Sequence, residues 1–192
     1  MMPMELHPQA SLLGLPRELR DEILSHILIA PVELSTLHKS WHNYKEGVAA
    51  YPPAICRVNR QLRMEALPRF YSDNTFMAQI SAEGLYDAFH RWINGVGRSQ
   101  VQHVRHLELR GWVQVPFGHM VQKRWLVARF DLRSGTMDIG DETVLASTAQ
   151  LSPVKELEFA FAELVRMRNG KPFGALELEE LVKGFHTLCI AC

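Results

Sequence analysis

The chain has 192 residues, 47% of them apolar, and its 21 basic side chains balance 21 acidic ones. That length and apolar content exclude a disordered chain and suffice for one domain with a sizeable core. A formal net charge of zero and a pI near 7.1 exclude overall attraction to nucleic acid or to an anionic membrane.

Three cysteines, Cys56, Cys189 and Cys192, are too few for a disulfide framework. Their odd count points to free thiols in a reducing compartment. Residues 1–11 read as a flexible lead-in with no apolar run of signal-peptide length. No segment approaches the roughly 20 apolar residues of a membrane-spanning helix. The expected location is the cytoplasm or the nucleus.

Pro16 presets φ at a first helical position and opens a helix over 16–30. Leu19, Ile23 and Ile27 fall on one face of it, with Leu24 and Leu28 beside them. Leu12 and Leu15 precede the helix and must dock on a core or a partner if they are buried at all. Residues 31–51 form a connection of low regularity holding His38, Trp41, His42 and Tyr44. Pro52-Pro53 approaches a second helix in which Ile55, Val58 and Leu62 are spaced for one apolar face, and Pro68 should end or kink it.

Ser72-Asp73-Asn74 is a turn cluster, and 75–80 reads as a short strand. A third helix is expected over 82–94, stopped by Gly95 and Gly97. Alternation then predicts a strand at 104–109, with Leu107 and Leu109 on one face and His106 and Glu108 on the other. A strand at 123–132, a turn at Arg133-Ser134-Gly135 and a return strand at 136–139 make a hairpin. Beyond Pro153 the signals conflict: Val154, Leu157, Phe161 and Leu164 suit a helix, whereas Leu157, Phe159 and Phe161 alternate, and the reading adopted is a strand over 154–162. A last helix is expected at 176–189, striped by Leu178, Leu181, Val182, Phe185, Leu188 and Cys189.

Residues that could carry chemistry form no complete set. His38 and His42 have an i, i+4 spacing but no third ligand, and Cys189-Ile190-Ala191-Cys192 lacks a second pair, so neither a metal nor a cofactor is expected. His103 and His106 lie three apart in an expected strand and face opposite sides. Gly95-Val96-Gly97 reads as a helix terminator rather than a dinucleotide fingerprint. No G-x-S-x-G elbow is present, and no catalytic residue is assigned. Arg57, Arg60, Arg63 and Arg69 are the one local basic concentration, read as a solvated helix face in which Glu65 pairs with Arg69. Trp92, Trp112 and Trp125 sit in patterned elements and are expected in the core.

The stretch Leu12-Leu13-Gly14-Leu15-Pro16-Arg17-Glu18-Leu19-Arg20-Asp21-Glu22-Ile23 follows the pattern L-x-x-L-P-x-E-L-R-x-x-I. With Val58-Asn59-Arg60-Gln61-Leu62-Arg63 and Phe70-Tyr71-Ser72-Asp73-Asn74-Thr75-Phe76 after it, the region resembles fungal F-box-like proteins. A similar fungal group is named for two E-x-R motifs. Glu18-Leu19-Arg20 matches the first, and Gln61-Leu62-Arg63 stands at the second with glutamine in place of glutamate. The resemblance covers about 12–76. It implies a non-catalytic interaction protein whose two helices bind the Skp-type adaptor of cullin-based ubiquitin ligases, while the downstream region recognises a substrate protein. The adaptor contacts it implies are Leu12, Leu15, Pro16, Leu19, Ile23, Val58 and Leu62. The connection between the first two helices is longer than the short turn of an ordinary F-box.

The expected fold is α+β, with F-box-like helices at 12–76, a loop inserted at 31–51, and a small, largely antiparallel sheet with packed helices at 77–192, continuous with the first part as one compact domain. The rival reading is a stand-alone interaction domain that keeps the same leucines in its own core. An enzyme with dispersed catalytic residues is the third.

Overall fold

The computed structural model describes residues 11–29, 52–80, 85–117, 119–141 and 152–190. The expected connection at 31–51, with its histidine pair, and Cys192 lie outside the described residues.

The first helix, α1 (Arg17–Leu28), follows a 3₁₀ turn at Leu12–Gly14 whose cap, the Ser11 hydroxyl, accepts from the Gly14 N–H at 3.2 Å. Pro16 is the residue just before the helix, with φ −50°. Helical spacing offers α1 two neighbouring rows, and the one that is buried is Arg20, Leu24 and Leu28. The row Leu19, Ile23 and Ile27 points outward.

The second helix, α2 (Arg60–Asp73), starts later than expected, because Ala54–Arg57 is a separate 3₁₀ turn and Asn59 caps α2 by accepting the Leu62 N–H at 2.8 Å. Ile55, Val58 and Leu62 therefore do not share a helical face: Val58 is 65% exposed and Leu62 only 3%. Pro68 neither ends the helix nor marks its boundary, for α2 runs on to Asp73. Burial of Ala66, Leu67, Phe70 and Tyr71 on both sides of the proline outweighs a local cost of about 3 kcal/mol.

Asn74, 3% exposed, ends α2 and also reaches α1: its side-chain amide donates to the Leu28 carbonyl and to the Phe70 carbonyl, both at 2.8 Å. The chain then enters β1 (Thr75–Gln79). After α3 (Leu85–Val96) and the single turn α4 (Arg98–Val101) come three successive strands, β2 (His106–Phe117), β3 (Met120–Asp131) and β4 (Thr136–Asp141). The sheet order is β1-β2-β3-β4, parallel in the first pairing and antiparallel in the other two. The crossover through α3 and α4 is what a parallel neighbour requires. Gly97, at φ +84°, makes the break between these two helices. His103 precedes β2 rather than lying in it with His106.

The β3–β4 turn is fixed by Asp131, whose carboxylate accepts the N–H of Arg133 at 2.9 Å and of Ser134 at 3.1 Å, with Gly135 at φ +74°. Residues 154–162 are helix, not strand, within α5 (Ser152–Met167). The decisive spacing is Val154, Leu157 and Phe161, all buried, while Phe159, which made the alternation look strand-like, is 70% exposed. The last helix, α6 (Ala175–Ile190), buries Leu178, Leu181, Val182, Phe185 and Leu188.

The fold is α+β, as expected. One face of the sheet, carrying Phe76, Ala78, Leu107, Leu109, Val113, Leu126, Ala128 and Phe130, is buried, with α6 against β2 and α3 against β1. These residues join Leu24 and Leu28 of α1 in a single hydrophobic core that extends to Leu188.

Candidate functional site

Arg20, in the buried row of α1, organises the N-terminal helices. Its guanidinium donates through Nε and Nη2 to both carboxylate oxygens of Glu65, at 3.1 and 2.8 Å, and through Nη1 to the Leu15 carbonyl at 2.5 Å. A planar fork on a carboxylate fixes angle as well as distance. The third donor holds the chain ahead of Pro16 to the same point. Gln61, one turn earlier on α2, adds a hydrogen bond to Glu65 at 3.1 Å.

Glu65 therefore does not pair with Arg69 along α2. Arg69 turns instead to α1, donating to the Asp21 carbonyl and lying 3.7 Å from the Asp21 carboxylate. The two helices are crossed by two charged links, each between residues more than a helix length apart in sequence. Hydrogen bonding from Arg20, then from Gln61, holds the Glu65 carboxyl below the usual glutamate range, and the same link raises the Arg20 guanidinium further.

With that row of α1 fixed, the row beside it is left in solvent. Leu19 is 48% exposed, Ile23 36% and Ile27 47%, an i, i+4, i+8 row of branched aliphatic side chains. Leu13, Ile29, Val58 and Met64 are also exposed. Of the residues expected to meet a partner, Leu19, Ile23, Pro16 and Val58 are exposed, Leu12 and Leu15 are half-buried, and Leu62 is buried. Ile27 belongs to the row and was not among them. An open depression of about 340 Å³ lies beside Glu65, lined by Arg60, Gln61, Met64 and Glu65.

The other candidates stay apart. Cys56 is fully buried, and desolvation pushes its thiol pKa up; Cys189 is half-buried against the sheet. Among the described residues no group of three or more His, Cys, Asp or Glu could hold a metal. Arg57, Arg60 and Arg63 are exposed, the first in the 3₁₀ turn before α2 and the other two on α2 itself. No described helix is long and apolar enough to cross a membrane. Trp92 is in the core as expected, but Trp112 is not: at 48% exposure it stands on the sheet face away from the helices.

Compared with protein-family models, with characterised proteins and with solved structures, the chain matches none.

Nothing local in the sequence announces the Arg20–Glu65 link, whose members are 45 residues apart. The usable signal was an arginine in register with Leu24 and Leu28 on a helix with an apolar neighbour row. A charged residue in the buried row of a helix demands a partner.

Proposed function

We propose that the outward row of α1 docks a protein partner, and that this partner is a Skp-type adaptor of cullin-based ubiquitin ligases. The observation that carries the reading is the exposed row Leu19, Ile23 and Ile27 on a helix whose other face is locked by Arg20 and Glu65. Fully covering a branched aliphatic side chain is worth about 1.5–3 kcal/mol, so completing the burial of three such half-exposed chains on a rigid helix supplies a usable part of a binding energy. The mode is helix-in-groove, with anchors read at i, i+4 and i+8.

The choice of partner rests on the resemblance of 12–76 to F-box-like proteins. Leu19, Ile23 and Val58 serve as contacts in this reading, with Leu12, Leu15 and Pro16 shaping the approach, and the region after β1 takes a substrate protein. Leu62 acts from beneath, as core. The rival reading, a stand-alone interaction domain, has the burial of Leu62 and the half-burial of Leu12 and Leu15 in its favour.

Co-purification of the full chain with a fungal Skp-type adaptor is the test. The wild type should associate at micromolar concentration, and Leu19→Asp and Ile23→Asp should each abolish association without unfolding the chain. Failure of the wild type to associate ends the adaptor reading and leaves the rival one.

A further inference from the structure

The second surface lies on the far side of the sheet. Strand alternation puts Glu108, Arg110, Trp112, Lys123, Trp125 and Arg129 on the face away from α6, since Leu107, Leu109 and Val113 are buried beneath it. Trp112 and Trp125 are register partners whose rings meet edge to face at 5.0 Å. The contact holds Trp112 upright while leaving it 48% exposed, an unusual state for the largest apolar side chain.

Charge on this face is sorted along the strands. Between Glu108 and Asp131 the chain has no acidic residue, and alternation puts Arg110, Lys123 and Arg129 on this face, with Arg124 on the other. Glu108, only 4% exposed, is held by Arg110 at 2.5 Å and Arg129 at 2.9 Å, so one carboxylate is shared between two guanidinium groups. Arg129 also lies 3.4 Å from Asp138, at the end of the face remote from the tryptophans. Lys123, exposed and two residues from Trp125, has no acidic partner among the described residues.

We infer that this face binds an acidic protein segment that carries an apolar or aromatic residue, the side chain packing on Trp112 and a carboxylate meeting Lys123. Charge complementarity selects the occupant. A nucleic-acid strand offers a phosphate at every nucleotide and draws its affinity from neutralising several of them, whereas this patch has one cation without an acidic partner among the described residues, Lys123, on a chain of zero net charge. One carboxylate and one apolar side chain match what is there. The inference is independent of the α1 row, which lies on another part of the molecule.

Fluorescence polarisation of the full chain tests it with three labelled probes: a peptide of about ten residues rich in Asp and Glu around one Phe, the same peptide with Gln and Asn replacing the acids, and an oligothymidylate of similar length. The acidic peptide should bind best and weaken as salt rises. Lys123→Glu, an exposed change that leaves the core alone, and Trp112→Ala should each weaken it by about tenfold or more. Leu19→Asp on α1 should leave it unchanged. Equal binding of the acidic and amide peptides, tighter binding of the oligonucleotide, no binding of any probe at millimolar concentration, or indifference to Lys123→Glu would each overturn the inference.

Discussion

Arg20 and Glu65 have a consequence in acid. Because Arg20 depresses the Glu65 pKa in the folded chain, the pair's contribution is complete above the ordinary glutamate value of about 4.3 and disappears as pH falls through the lower folded value. Glu65→Gln should therefore be less stable than wild type in urea at neutral pH, and the gap should close as pH falls below about 4. A gap that stays constant with pH would mean that packing, not ionisation, holds the pair. The neighbouring rows of α1 separate core from surface in the same way. Leu24 is fully buried, so Leu24→Ala should cost about 2–5 kcal/mol. Ile23→Ala, at a position 36% exposed, should cost about 1 kcal/mol or less while weakening any partner bound to the row. Urea unfolding of both variants measures the contrast, and comparable losses would put Ile23 in the core after all.

At the scale of elements, close approach of α6 to the sheet depends on one missing side chain. A Cβ at Gly111 would lie 2.5 Å from the Cys189 sulfur and 3.1 Å from a ring carbon of Phe185. Gly111→Ala should accordingly destabilise by about 1–3 kcal/mol through overpacking. Cys189→Ala should relieve much of that loss, so that the double variant is more stable than the sum of the single changes requires; strict additivity would show that the helix moves away instead. Elements defined by a dense repeating signal were legible beforehand: α6 from its stripe, the β3–β4 hairpin from Arg133-Ser134-Gly135, the end of α3 from Gly97, although the helix runs through Gly95. Those that depend on a distant partner were not. Residues 154–162 satisfied helical and alternating patterns together until the exposure of Phe159 separated them. Trp112 was misread because its strand is patterned on one face only, and sequence does not say which face is roofed. Along α1 both rows were visible, but the buried one is marked by an arginine whose carboxylate lies on another helix.

For the whole molecule, the single core running from Leu24 to Leu188 makes cooperative unfolding the expected behaviour. Phe76 of β1 links its parts, with ring contacts to Phe70 at 5.8 Å, Tyr71 at 5.7 Å and Trp92 at 5.2 Å, tying α2 to α3. Near-ultraviolet circular dichroism, which reads that aromatic cluster, and far-ultraviolet circular dichroism, which reads the helices, should give coincident urea transitions. Earlier loss of the helical signal would show that α1 and α2 unfold as a separate unit.

The double link between α1 and α2 also decides what the outward row needs in order to keep its place. Arg20 with Glu65, Arg69 with Asp21, and Asn74 with the Leu28 carbonyl fix the two helices to each other without using the chain that joins them. Changes elsewhere that leave these six residues in place should therefore leave the two helices crossed as they are and the outward row presented as it is.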